Sequence, residues 1–319
     1  MSSGRPRITP HAAKVFADGP PHEPELDPPF DVMEPAALVS PLVFSSPHSG
    51  AIYPKSFLAA AKLDATTLRR SEDAYVDQLF AGVLAYGAPL IHARFPRAYL
   101  DLNREPYELD PRMFDGRLPV FANTRSVRVA GGLGTIARIV GESQEIYRDR
   151  LKVDEALARI EKLYKPYHRS LRLLLERAQQ VFGLAVLIDC HSMPSISSVP
   201  LPDPMSGRKI KADFVLGDRY GTSCEAALVD IVEYELRRLG YQVMRNKPYA
   251  GGFITEHYGN PANQFHALQI EVNRGLYMDE RTMEKAPGFA KVADDLCRVA
   301  DQLACLLAAR RGNERAAAE

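Results

Sequence analysis

Two histidines at the polar ends of apolar runs carry the chemistry this sequence offers. Leu184-Ala185-Val186-Leu187-Ile188 is a short unbroken apolar segment of the kind buried on both faces of a sheet, and it ends in Asp189-Cys190-His191-Ser192. Ala37-Leu38-Val39 and Leu42-Val43-Phe44 lead in the same way into Ser45-Ser46-Pro47-His48-Ser49-Gly50. Open α/β sheets place their sites at the carboxyl ends of strands. Two strand-like runs, each closing on His-Ser, therefore suggest two imidazoles converging on one ion. A hydrolytic zinc site takes three protein ligands and leaves one position for water. His48, His191 and a carboxylate from Glu72 or Asp73 supply that set. The competing readings are plainer: His191 as the cap of a core strand, and Glu72 and Asp73 as dipole partners in the first turn of a helix.

Metal-assisted hydrolysis also needs a group that moves a proton. Glu271 interrupts the apolar strand pattern of Leu268-Gln269-Ile270-Glu271-Val272, where a charge is costly unless it has a task. Its alternative is a strand glutamate facing solvent. Arg104 and Arg274 occupy parallel contexts, Leu-Asn-Arg and Val-Asn-Arg, and suit bidentate binding of substrate carboxylates. Arg138, just after the glycine-rich Gly131-Gly132-Leu133-Gly134, is a third candidate; that turn matches neither GxGxxG nor a P-loop.

These residues need a layered scaffold, and the chain spells one. Strands are predicted at 37–44, 89–93, 98–104, 184–188, 214–217, 241–244 and 266–273, with a further turn and strand at 251–255. Helical spacing covers 57–63, 71–85, 224–239 and 287–309, and a helical region over 143–181 is bent or folded into a hairpin at Lys165-Pro166. Strands separated by helices imply one α/β layer structure with no internal repeat and no linker. Residues 1–36, rich in proline, read as an extended arm before a single domain over 37–310, and 311–319 as a frayed tail.

Lys+Arg and Asp+Glu balance at 40 each in 319 residues, so nothing electrostatic calls for nucleic acid or a membrane surface. A small-molecule substrate is the default partner. No run approaches the roughly 18 apolar residues of a membrane span, and the start lacks a signal pattern. Four cysteines without CxxC spacing read as reduced thiols in the cytoplasm. Cys190 makes a poor nucleophile, because burial raises a thiol's pKa.

The segments SSPHSGAIYP, RRSEDAYVDQLF, RAYLDLNREPYELDP, GGLGTIARI, KPYHRSL, LIDCHSMP, DFVLGDRYGTSC, GGFITEHYG and LQIEVNRGLYMDE follow one another over residues 38 to 285. In this order they resemble the motifs of the N-formylglutamate amidohydrolase family, which is similar to zinc carboxypeptidases and aspartoacylases. The resemblance implies a mixed, mostly parallel central sheet sandwiched between helices, zinc-carboxypeptidase-like and of the phosphorylase/hydrolase-like kind. It implies one catalytic zinc per chain held by His48 and His191, Glu271 as general acid/base, and a substrate held by the motifs containing Asn103, Arg104 and Arg274. The implied reaction is hydrolysis of N-formyl-L-glutamate to formate and glutamate, closing one route of histidine degradation. Carboxypeptidase-like relatives carry the ligand carboxylate three residues after the first histidine, where this chain has Ala51. The family's ED-x-x-VD pattern favours Asp73, with Glu72 the alternate. Two alternatives stay open: a hydrolase of another N-acyl amino acid or peptide, and a non-catalytic binding module.

Overall fold

The computed structural model of the chain describes residues 23–141, 144–195, 201–202 and 209–318. Seven strands share one sheet: β1 (Phe30–Met33), β2 (Leu42–Ser46), β3 (Leu90–Ala93), β4 (Ala185–Met193), β5 (Phe214–Gly217), β6 (Val243–Arg245) and β7 (Phe265–Asn273). Their spatial order is β1-β3-β2-β4-β7-β5-β6. The four central strands β3, β2, β4 and β7 are parallel, whereas β1 is antiparallel to β3 and β5 antiparallel to β7. The predicted mixed, mostly parallel sheet is therefore present, with helices on both faces.

Strands β4 and β7 pair over nine residues, and their register places His191 beside Glu271 and Asp189 beside Gln269. Parallel partners share a face, and alternate residues switch face. Ala185, Leu187 and Ala267 enter one core, against Tyr167 and Leu171 of helix α5 (Lys165–Phe182). Val186, Ile188, Leu268 and Ile270 enter the other, against α6 (Ala226–Arg238) and the final helix α8 (Phe289–Ala318). Each aliphatic chain removed from water contributes about 1.5–3 kcal/mol, so both faces are anchored along the strands. At the carboxyl end the first face changes from apolar to polar, through Asp189, His191, Gln269 and Glu271.

The remaining α-helices of five residues or more are α1 (Lys55–Ala60), α2 (Ala65–Arg69), α3 (Val76–Phe80), α4 (Val153–Arg159) and α7 (Phe253–Tyr258). The helical region predicted over 143–181 is shorter among the described residues, since two-residue strands occupy 144–145 and 151–152. From Val153 it is one continuous helical path, with a π-helical stretch at Ile160–Tyr164 entering α5; Pro166, which has no N–H to give, lies just after the π-helical stretch. None of the helices among the described residues is long and apolar enough to cross a membrane.

Four other expectations change. Residues 98–104 form no strand: backbone bonds from Tyr99 and Leu100 return to the Pro96 carbonyl, and Asp101 Oδ1 accepts from the Asn103 amide. Its apolar residues are all buried in an irregular loop, which imitates a strand in sequence. Residues 253–258 are helical instead of extended, because the Ile254 amide at the helix start is satisfied by Asn103 Oδ1 at 2.7 Å, a partner 151 positions away. Of the arm predicted over 1–36, residues 1–22 lie outside the described residues, and the rest is part of the domain, since Leu26 and Phe30 are buried and 30–33 form β1. The tail predicted to fray at 311 continues as helix to Ala318.

Candidate active site

His48 lies two residues beyond β2, and Gly50 after it lets the chain pass against Phe95. A Cβ at position 50 would stand 2.2 Å from the Phe95 carbonyl oxygen. The His48 carbonyl accepts the backbone amide of Asp73 at 3.0 Å, which draws the 71–75 turn onto the end of β2. Tyr75 takes a left-handed conformation, φ 64°, so α3 starts at Val76 and Asp73 stays outside the helix. The predicted helix from 71 is thereby cut short, and the dipole reading of Glu72 and Asp73 lapses with it.

Three buried atoms converge. Asp73 Oδ2 lies 2.9 Å from His191 Nδ1 and 3.4 Å from His48 Nδ1. Metal–ligand bonds of about 2.0–2.1 Å set at tetrahedral angles put ligand atoms about 3.4 Å apart, so this spacing suits one ion. His48, Asp73 and His191 form a group that could bind a metal ion. The opposite ring nitrogens are held from behind. His48 Nε2 is 2.7 Å from Asp101 Oδ1, and His191 Nε2 is 3.0 Å from Asp189 Oδ2. An ionised carboxylate only accepts, so His48 Nε2 carries the proton and donates to Asp101, which leaves Nδ1 as the lone pair; His191 Nε2 also lies 3.2 Å from Asn103 Nδ2, while its Nδ1 meets Asp73. His48 Nδ1 is buried without a hydrogen-bond partner. A lone pair facing a carboxylate oxygen is an arrangement that a cation relieves. Burial opposes charge on His191, yet the Asp189 and Asp73 carboxylates outweigh it and favour a second proton on the imidazole, at Nδ1 toward Asp73, which a cation bound there would replace.

Glu271 stands next to His191 in register, with its Oε1 accepting from Gln269 Nε2 at 2.9 Å. Burial pushes its carboxyl up to about 7, against the opposing pull of His191 and Arg97. Asp73 and Glu271 both line a cleft of about 370 Å³ whose wall also carries Arg70, Arg97, Arg104 and Arg274. The Arg97 guanidinium donates to Asp101 Oδ2 at 2.8 Å. Burial works against ionised Asp101, but Arg97 and Arg104 hold it well below the usual carboxylate range. Cys190 is buried on the other face, its thiol pushed up by that burial.

The predicted residues divide as follows. His48, Asp73 and His191 converge, Glu271 stands beside His191, and Asp73 and Glu271 reach the cleft. Glu72 does not: it accepts from the Tyr53 hydroxyl at 2.7 Å and from Arg69 Nε at 3.1 Å, on a separate pocket. Arg104 reaches the cleft, with Nε on the Leu133 carbonyl and Nη1 on the Asn103 carbonyl. Arg138 points elsewhere and pairs with Asp110 at 3.0 Å, because its neighbours Ala137 and Ile139 take the cleft-facing positions. Asn103 spends both ends of its amide inside the protein, Oδ1 on Ile254 and Nδ2 toward Asp189 Oδ2 at 3.4 Å. Arg274 is tied to Asp73, Ser192 and the Arg70 carbonyl.

Asp101, Asp189, Arg97 and Arg70 escaped sequence reasoning. Asp189 and Asp101 each stand within two residues of a residue already singled out, and a rule that each ligand histidine needs a carboxylate behind it would have found them. Arg70 precedes the Glu-Asp pair by two residues; among the described residues its guanidinium forms no ion pair.

The family model described as N-formylglutamate amidohydrolase matches residues 40–278. N-formylglutamate deformylase of Pseudomonas putida is 29% identical over 243 residues, 75% of this chain and 82% of the relative. The crystal structure of N-formylglutamate amidohydrolase from Ralstonia eutropha JMP134 superposes with a TM-score of 0.81 at 40% identity, covering 89% of this chain and 99% of that one. A further structure, from Agrobacterium tumefaciens, shares the fold at 18% identity and a TM-score of 0.60, over 86% of this chain and 94% of that chain.

Proposed function

The chain belongs to the N-formylglutamate amidohydrolase family, and we propose that it is a metal-dependent hydrolase acting in the cytoplasm on N-formyl-L-glutamate, releasing formate and L-glutamate. The observation that carries this reading is the convergence of His48 Nδ1, Asp73 Oδ2 and His191 Nδ1 beside a glutamate held near neutrality. A divalent cation held by those three atoms, zinc in this reading, would bring the pKa of its water toward neutrality and polarise the formyl carbonyl.

The protein's own groups do the rest. Glu271 takes a proton from the attacking water, and a carboxyl at about 7 is matched to that task near neutral pH. As the carbon–nitrogen bond breaks, Glu271 returns the proton to the departing amine, so the oxygen of water leaves in formate and its hydrogens are accounted for. Arg97, fixed by Asp101, supplies positive charge on the cleft wall for the developing oxyanion. Arg70 and the Nη2 end of Arg104 bind the glutamate carboxylates, with charge-assisted bonds that orient the substrate. Leu133, Ile139 and Val140 complete an apolar wall against its methylenes.

The test is formate release by metal-replete protein from N-formyl-L-glutamate, beside N-acetyl-L-glutamate and N-formyl amino acids lacking the side-chain carboxylate. Preference for N-formyl-L-glutamate supports the reading. Equal or better turnover of the other substrates refutes the arginine assignment and moves the search to other N-acyl amino acids.

A further inference from the structure

The two carboxylate oxygens of Asp73 live in different surroundings. Oδ2 faces the imidazole nitrogens of His191 and His48. Oδ1 accepts from Arg274 Nη2 at 3.0 Å and from the Ser192 hydroxyl at 3.4 Å. Arg274 is itself immobilised: Nε donates to Ser192 Oγ at 3.1 Å and Nη1 to the Arg70 carbonyl at 3.1 Å. It sits at the exit of β7, where Asn273 Oδ1 accepts from the Gly275 amide at 3.0 Å and shapes the turn that aims the guanidinium inward. Its side chain is 7% exposed, so the charge is paired within the protein before any substrate arrives.

We propose that Arg274 is a positioning residue for the metal centre: by occupying Asp73 Oδ1 it restricts Asp73 to one-oxygen ligation through Oδ2 and keeps a coordination position open. A carboxylate can ligate through one oxygen or two, and a free Asp73 would have both available. Hydrogen bonds from outer groups decide such choices and orient the ligand. A guanidinium with three fixed partners is a stiff donor for this purpose. Hydrolysis needs the open position, so the effect bears on the chemistry although Arg274 touches no reacting atom. The inference rests on His48, Asp73 and His191 being the metal ligands, and it gives Arg274 a different task from holding the substrate.

The experiment loads metal-free protein with cobalt(II) and records its visible spectrum, which reports coordination number. The unsubstituted protein is expected to show the intense bands of four-coordinate cobalt. Arg274→Gln is expected to weaken them toward the five-coordinate pattern as Asp73 swings to two-oxygen ligation, and Arg274→Lys, which keeps one charged donor, to restore them in part. Ser192→Ala removes the other Oδ1 donor and Arg274's own anchor without unpairing a charge. It should shift the spectrum the same way by less, and it serves where Arg274→Gln does not fold. An unchanged spectrum in these variants, with a raised KM for N-formyl-L-glutamate in the Arg274 variants, would overturn the proposal and return Arg274 to substrate binding. Failure of the unsubstituted protein to take up cobalt would instead refute the metal centre itself.

Discussion

His48 Nε2 and Asp101 Oδ1 lie 2.7 Å apart, both buried, and this contact decides which face of the imidazole can meet an ion. With the proton on Nε2, Nδ1 points at Asp73. Asp101 is held ionised by Arg97 and Arg104, four and three residues from it along the irregular 96–104 loop, and so the donor side of His48 is fixed. The Asp101→Asn substitution keeps the shape, removes the charge and permits the wrong tautomer. Metal affinity should fall about 10- to 100-fold, as typical for such outer partners, measured by competition with a chelator. Unaltered affinity would show that Asp101 does not set the tautomer.

The four arginines of the cleft are not equivalent. Arg70 is the one whose guanidinium forms no ion pair among the described residues, whereas Arg138 is spent on Asp110 outside the cleft. Arg70→Ala should raise KM for N-formyl-L-glutamate at least tenfold with a smaller change in kcat. Arg138→Ala should leave KM within twofold. Steady-state kinetics on the two variants check both, and the reverse pattern would reinstate Arg138 as a substrate residue.

His168 on α5 braces the loop that carries Asn103. Its Nε2 donates to the Leu102 carbonyl at 2.9 Å, and its ring stacks on Tyr258. Burial pushes its pKa down to about 3, from an ordinary 6.5. Because the folded value is the lower one, the unfolded chain takes up the proton first. The stability at stake is therefore intact above about pH 6.5 and is lost as pH falls toward 3, with a slope of up to about 1.4 kcal/mol per pH unit. Urea unfolding of His168→Gln between pH 6 and pH 4 should show a shallower slope by close to one proton; an identical slope would remove His168 from this role.

Gly50 tests the packing that delivers His48. An added Cβ meets backbone atoms of Arg94 and Phe95 at 2.2–2.6 Å, and backbone cannot step aside as a flexible side chain can. Gly50→Ala should cost about 1–3 kcal/mol or more in denaturant unfolding. A variant as stable as the parent would mean that the 48–50 turn has room the structure does not show.

The sheet was legible because its strands obey simple rules. Ala185–Met193 and Phe265–Asn273 are apolar where both faces are covered, and each turns polar where it meets the cleft. His48, His191 and Glu271 stand out for the same reason, as costly residues at the ends of apolar runs. The misread parts are held by distant partners. The helix at 253–258 depends on Asn103, and the loop at 98–104 is buried by its surroundings with no pleat of its own. Arg138 looked like a substrate arginine, and Arg274 like an unpaired one, because sequence shows the charge and hides the carboxylate that pairs with it. Asp110 and Asp73 lie 28 and 201 positions away from them. Propensity has no access to such pairings, which tertiary structure alone creates.

The hydrolysis proposed for this chain turns on Glu271 moving the proton. Burial raises its carboxyl to about 7, so it loses its base form as pH falls through that region; a bound cation favours the carboxylate and carries the limb lower. The direct measurement is the rate of formate release from N-formyl-L-glutamate by metal-replete Glu271→Gln at neutral pH. The account predicts a loss of about 10²- to 10⁴-fold, the usual contribution of a general acid/base, in protein that binds metal as the parent does. Turnover at the parent's rate would contradict it and take Glu271 out of the reaction.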